Sequence, residues 1–217
     1  MINLKEKILF IKPFEIESSY ASFGVIWKNI KKVLSGMKGI YSYSLIRSVD
    51  YNAKYGFISF SAWDSKISFS NAVKNNTVLK YHISKNGEGK KSDFLYLYRI
   101  LKHNEFELEK TGDKFMFINF IKDEKNNDEN IIKFWNEIND SLEGKEILCN
   151  SYLCKSIYQF SKFRYIILIS VKNDELEDLF SEHLIFKTIS LKYKIKGYYS
   201  SIYDKNLKNR NIQKILT

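Results

Sequence analysis

Arginine, histidine and cysteine are scarce in these 217 residues, and no long apolar run occurs. Arg47, Arg99, Arg164 and Arg210 are the only arginines among 35 basic residues, which outnumber 25 acidic ones to leave a formal charge of +10. Base-edge and phosphate recognition favours the bidentate guanidinium fork. A charge carried by Lys, in a chain also rich in Asn, Ile and Tyr, is what an AT-rich genome supplies without a partner. Surface solubility is therefore the expected role of the charge, and nucleic acid is not the expected partner. Cys149 and Cys154 lie five residues apart in a predicted strand, where an odd separation points side chains to opposite faces. No bridge is expected between them, which fits a reducing, cytoplasmic setting. His103 and His183 have no Cys, His or carboxylate at metal-ligand spacing, so no metal site is expected. No stretch approaches the roughly 20 apolar residues that span a bilayer, and the first apolar run ends in charge and Pro13 rather than a cleavage site. The loop 85–91 has two glycines among lysines but not the Gly-Lys-Ser/Thr ending of a phosphate loop. No Ser-His-Asp order, paired-carboxylate motif or Cys nucleophile is evident either.

With 44% hydrophobic and 16% aromatic residues, the chain has ample material for a core. A repeat organises it. Trp27, Ile30, Leu34 and Gly36 recur as Trp135, Ile138, Leu142 and Gly144, each 108 positions on. The same shift sets Leu45 on Leu153, Ile58 on Ile166, and the run 8–10 on 116–118, which predicts a gap-free duplication. In the first half, composition and periodicity predict strands over 8–14, 40–48, 55–63 and 93–101. Helices are predicted over 20–34 and after a cap at Asp64 or Ser65, with a further helical turn at 78–82. Gly36 and Gly39 end the first helix. The second half repeats the order with strands over 114–122, 147–157, 163–171 and 193–203, helices over 130–142 and 174–181, and a short turn at 185–191.

The order β-α-β-β-α-β is ferredoxin-like. Both faces of the strands are apolar, so the sheet needs cover beyond its helices, and the tandem partner is the nearest candidate. The expected fold class is α+β: two tandem ferredoxin-like βαββαβ repeats, residues 1–104 and 113–204, whose antiparallel sheets pack as an intramolecular dimeric α+β barrel. Residues 205–217 form a basic C-terminal tail. Such a chain is a monomer that acts as a pseudo-dimer, with room for a higher oligomer.

Leu34-Ser-Gly-Met-Lys-Gly39, the strand ending at Leu45, the run Tyr55-Gly-Phe-Ile-Ser-Phe-Ser-Ala-Trp63-Asp-Ser65, then Phe69 and Val78-Leu-Lys-Tyr-His82 form a pattern. It resembles the antibiotic-biosynthesis-monooxygenase (ABM) domain of the dimeric α+β barrel superfamily, and within it the bacterial heme-degrading monooxygenases. The likeness covers about residues 7–101 and, through the repeat, 114–203. It implies a pocket between sheet and helices for a small hydrophobic or aromatic molecule. It also implies a monooxygenase that requires no cofactor of its own, with heme as a ligand or substrate in one branch.

That branch works with an Asn on the first strand, a Trp on the second helix and a His after it. Matched by motif, the His position falls on His82, the Trp position on Ala72, and the Asn position near Ile11 or Lys12. Asn119, in the first strand of the second half, is the other polar candidate. His82 and Asn119 are thus the candidate catalytic residues, in different halves, and Trp63, Phe69, Ala72, Tyr41 and Tyr43 the candidate pocket. A neutral imidazole at position 82 can bind iron or move a proton near neutral pH. Trp27 and Trp135 are expected in the core, Trp63 at a barrel rim or pocket mouth, and the alternate tyrosines 41, 43, 96 and 98 packed with a wet tip. Two other readings remain. One is a non-catalytic ligand-binding or scaffold protein with degenerated sites. The other is a basic RNA binder, which would expose the aromatics of Lys54-Tyr-Gly-Phe-Ile-Ser-Phe60.

Overall fold

A computed structural model describes residues 7–15, 20–48, 55–84, 96–105, 114–121, 127–143, 148–161, 163–171, 191–193 and 198–204. The expected helix over 174–181, the turn at 185–190, the loop 85–91, the tail 205–217 and His183 lie outside them. The elements run β1 (Ile8–Glu15), α1 (Tyr20–Leu34), β2 (Ile40–Ser48), β3 (Tyr55–Trp63), α2 (Lys66–Lys74), α3 (Thr77–Ser84) and β4 (Leu97–Glu105). They continue as β5 (Lys114–Ile121), α4 (Asp128–Glu143), β6 (Leu148–Ser156), β7 (Phe163–Val171) and β8 (Tyr198–Asp204). The chain is α+β, and the eight strands among the described residues close a single antiparallel barrel in the order β1-β3-β2-β8-β5-β7-β6-β4. Read from β4, the first four strands stand in the ferredoxin-like order β4-β1-β3-β2; β8-β5-β7-β6 gives the same order among the last four.

Local chemistry explains the helices. In α1, Trp27, Ile30 and Leu34 are buried at helical spacing while Lys28, Lys31 and Lys32 face water, the last two favourably placed beside the helix C-terminus. Ser65 caps α2 by accepting from the Ser68 N–H at 3.1 Å, and Asn76 and Asn127 cap α3 and α4 through their Oδ1 atoms. Gly39, not Gly36, is the glycine with left-handed backbone, at φ 80°. Its carbonyl accepts from the Asp64 N–H at 2.8 Å, and a Cβ there would stand 2.8 Å from Ser68 Cβ.

Alternation along the strands divides the interior into two layers. Phe10, Phe14, Leu45, Phe57, Trp63 and Leu97 pack under Trp27, Ile30 and Leu34 of α1, Phe69 and Val73 of α2, and Leu79 of α3. Leu9, Ile11, Ile46, Tyr55, Ile58, Ala62, Tyr98, Cys154, Phe163 and Ile166 fill the barrel. The face that needed cover is thus closed inside the barrel. Tyr98 has no wet tip: it is fully buried, its hydroxyl donates to the Phe163 carbonyl at 3.3 Å, and burial raises its pKa. Tyr55 and Phe57, the aromatics an RNA-binding face would expose, are buried. Cys154 is a free thiol in the same interior, its pKa pushed up to about 12 by burial.

Three expectations are corrected. The expected uniform offset of 108 does not hold. The β1–β3 ladder has its irregularity at Phe14/Glu15 and the β5–β7 ladder at Phe120/Ile121, so β5 follows β1 by 106 positions. From α1 and α4 through β3 and β7 the shift is 108, because the link before α4 is two residues longer than that before α1. Strand β4 begins at Leu97 and runs to Glu105, past the expected end at 101, because Lys102 to Glu105 pair with Leu153 to Asn150 of β6. The ladder closes the barrel, and only a tertiary partner makes those polar residues a strand. Trp63 is at no rim: it is 1% exposed, inside the helix-covered layer.

Candidate functional site

The helix-facing side of the first-half sheet is laid out in rows by register. Ile40, Trp63 and Ile8 form one row; Tyr43, Ser61 and Phe10 the next; Leu45, Ser59 and Lys12 the third. Directly opposed residues on one face have Cβ atoms about 4.5–5.5 Å apart. Three polar side chains therefore sit together under the helices, and all are buried: Lys12 at 1% exposure, Ser59 and Ser61 at 3%. A lysine this buried is rare in proteins. Its Nζ lies 5.0 Å from the ring centroid of Phe14 and 5.6 Å from that of Tyr96, within cation–π range. The Ile11 N–H bonds the Tyr96 carbonyl and draws residue 96 to this end of β1.

Aromatic rings continue the layer. Trp63 meets Phe69 edge to face at 5.5 Å, Phe69 stacks on Phe10 at 5.3 Å, and the Trp63 indole N–H donates to Ser61 Oγ at 2.8 Å. Trp63, Phe69, Ala72 and Tyr43 are brought together here. Tyr41 stands apart, exposed, with Lys7 Nζ 3.9 Å from its ring centroid. Lys7 also pairs with Asp64 at 3.3 Å; a hydrogen bond involving Tyr41, then Lys7 itself, holds the Asp64 carboxyl below its ordinary value. Asp64 opens onto a surface cleft of about 440 Å³ lined with Gly39, Ser68, Asn71, Ala72 and Asn75.

His82 lies in α3 and Asn119 in β5 opposite Ile166; both side chains are outside the described residues. His103 stacks on Tyr152 across the β4–β6 ladder, in the row of the barrel interior. Among the described residues no group of His, Cys, Asp or Glu could hold a metal ion, and no helix is long and apolar enough to cross a membrane.

The corresponding layer of the second half is built differently. By the shifts above, the positions of Lys12, Ser59 and Ser61 are taken by Ile118, Ile167 and Ile169, the last two fully buried. Trp135 donates its indole N–H to Ser151 Oγ at 2.8 Å, and Asn139 Nδ2 donates to the Trp135 carbonyl. Both tryptophans are core, as expected. At the start of α4, Asp128 accepts from Lys155 and from the Tyr165 hydroxyl and fastens the helix to β6 and β7. Burial would raise the Asp128 pKa, but these hydrogen bonds outweigh it and hold it low, while burial and Asp128 raise that of Tyr165.

Sequence reasoning missed the cluster of Lys12, Ser59 and Ser61. Its signal was present: a lysine between Ile11 and Pro13 in an apolar strand, and serines alternating with Ile58, Phe60 and Ala62 in a strand buried on both faces.

No protein-family model matches the chain, and no curated protein matches it in sequence. Solved structures do. A Fusobacterium nucleatum protein provisionally assigned as a monooxygenase is similar with a TM-score of 0.56 and 18% identity, over 91% of each chain. An anthrone oxidase-like protein gives 0.53 and 10%, over 91% of this chain and 90% of its own. A major regulator of staphylococcal pathogenesis gives 0.50 and 12%, over 91% and 98%. At these identities the likeness is one of fold.

Proposed function

We propose that this chain is an ABM-like protein, duplicated from one ferredoxin-like unit, that binds a hydrophobic aromatic molecule between the sheet and helices of residues 1–104 and oxidises it with dioxygen. The duplication is supported by matched register. Irregularities recur at Ile40/Ser42 of β2 and Leu148/Asn150 of β6, and the seam pair Ser48–Tyr203 answers Ser156–Tyr98. One chain then closes the barrel that two protomers would otherwise supply, with 113–204 as its second unit. The observation that carries the functional reading is the buried polar cluster of Lys12, Ser59 and Ser61, on adjacent rows, among the rings of Phe10, Phe14, Trp63, Phe69 and Tyr96. Binding sites for small aromatic molecules combine apolar walls with a few placed polar groups.

In this reading His82 takes the substrate proton. With anthrone as the probe, the methylene carbon gains one oxygen atom as a carbonyl, and the second oxygen leaves as water with the two displaced hydrogens. Oxygen consumption and anthraquinone formation should depend on the protein without added metal or flavin, and His82→Ala should lower the rate about 10²–10⁴-fold, the usual contribution of a proton-transfer group. Protein-independent oxidation would refute the enzymatic reading. Heme as the ligand would need an axial donor. His82 is the candidate for it, since His103 is stacked on Tyr152 in the barrel-interior row. A shifted Soret band lost in His82→Ala would favour heme over a compact aromatic.

The second reading, a ligand-binding protein without catalysis, is favoured by the isoleucines that stand in the second half where the first has Lys12, Ser59 and Ser61. It predicts binding of anthrone-like molecules with no oxygen consumption.

A further inference from the structure

We propose that the surface cleft between Gly39 and α2 is a second binding site, outside the aromatic layer, for a neutral polyhydroxylated molecule of small-saccharide size. At about 440 Å³ it falls within the range of small-molecule sites. Both walls are pinned. On one side the left-handed Gly39 accepts the Asp64 N–H at 2.8 Å and approaches α2 so closely that a Cβ would meet Ser68. On the other, α2 is held at its start by the Ser65 cap, and the turn after it by Asn76, whose Oδ1 accepts from the Leu79 N–H at 3.1 Å. A site already in its binding shape loses little freedom when a ligand arrives. Met37 and Ala72, half-buried and packed against the core of Trp63 and Phe69, give it an apolar floor.

The polar groups left to a ligand decide its class. The Asp64 carboxylate is engaged by Lys7 and Tyr41, and the Ser68 hydroxyl by Ser65 Oγ at 3.1 Å. The carboxamides are not so engaged. Asn71 and Asn75 stand one turn apart on α2, and among the described residues neither side chain has a hydrogen bond; Asn76 uses its Oδ1 and keeps its Nδ2. A carboxamide donates and accepts without charge, which matches adjacent hydroxyls that do both. Among the described residues no aromatic side chain lines the cleft, so it offers a planar ring no flat wall. A saturated ring suits it better, with its C–H face on Met37 and Ala72 and its hydroxyls toward the amides. Lys38 at the cleft is exposed, and a ligand bearing an acid group is the competing occupant.

The test titrates the isotopically labelled full chain with glucose, maltose, sucrose and trehalose in turn, and with glucuronate as the acidic counterpart of glucose. At least one neutral sugar should give saturable shifts at residues 37–39 and 68–76. The double variant Asn71→Ala, Asn75→Ala changes only exposed side chains, and thermal melts will show it folded. It should weaken that binding about tenfold, the worth of a pair of neutral hydrogen bonds. No saturable shift with any neutral sugar, shifts confined to other residues, or an affinity unchanged in the double variant would overturn the site. Glucuronate bound tenfold more tightly than glucose would assign the cleft to an acidic ligand and overturn the neutral class.

Discussion

The two helix-covered layers of this barrel share a frame and differ in which of their buried positions are polar. Both place a tryptophan of the long helix in the core, Trp27 and Trp135, and both run their sheets with irregularities at matching points. In the first, the middle of the sheet is Lys12, Ser59 and Ser61; in the second, Ile167 and Ile169 stand where the serines were. An apolar row is the cheaper solution for a core, since buried polar groups must recover their hydrogen bonds. The second layer keeps its own buried polar side chains, Ser151 and Asn139, hydrogen-bonded to Trp135, and the buried lysine of the first layer is where a function is to be sought.

The comparison can be broken or sharpened by substitution. Trp63→Ala and Trp135→Ala should each lower stability by about 3–5 kcal/mol in denaturant titrations, because each empties a large buried volume and orphans the Ser61 or Ser151 hydroxyl. Similar losses would show that the halves are equals as cores; a tolerated Trp63→Ala would mean the first layer is not packed as described. Ile167→Ser should cost about 2–4 kcal/mol through lost burial and a hydroxyl placed in an apolar site. The reverse change, Ser59→Ile, should cost less in stability while abolishing ligand binding, which separates a row kept for the fold from one kept for a ligand.

Gly39→Ala should destabilise by about 1–3 kcal/mol, since it forces a side chain into left-handed backbone and against Ser68. The smallest effect belongs to the second half. Asp128 has a folded pKa held below its unfolded value of about 3.9. Its contribution is therefore present above that value and lost as pH falls through the folded pKa. Asp128→Asn should flatten the acid limb of a stability–pH curve and leave the limb above pH 7 unchanged.

Much of the frame is legible in the sequence because its periodicities are strong. The spans 20–34, 40–48, 55–63 and 163–171 coincide with α1, β2, β3 and β7. What escapes is decided at a distance. Lys102 to Glu105 become strand only because β6 lies beside them, and the two-residue offset between β1 and β5 appears only when ladder irregularities are superimposed. The site shows the same division. Trp63, Phe69, Ala72 and Tyr43 follow from their motif and do gather in one layer. Lys12 could not be placed by charge alone, because a lysine on a strand is normally solvated. Its burial emerges only when α1, α2 and α3 cover the face on which Phe10 and Phe14 also lie.

The claim that one layer carries the site and the other only the fold is tested most directly by locating a bound aromatic molecule. Chemical-shift mapping of anthrone on isotopically labelled protein should perturb residues 10–14 and 57–63 together, saturating at one equivalent, and leave 150–154 and 165–169 in place. Equal perturbation of both sets, saturating at two equivalents, would contradict it.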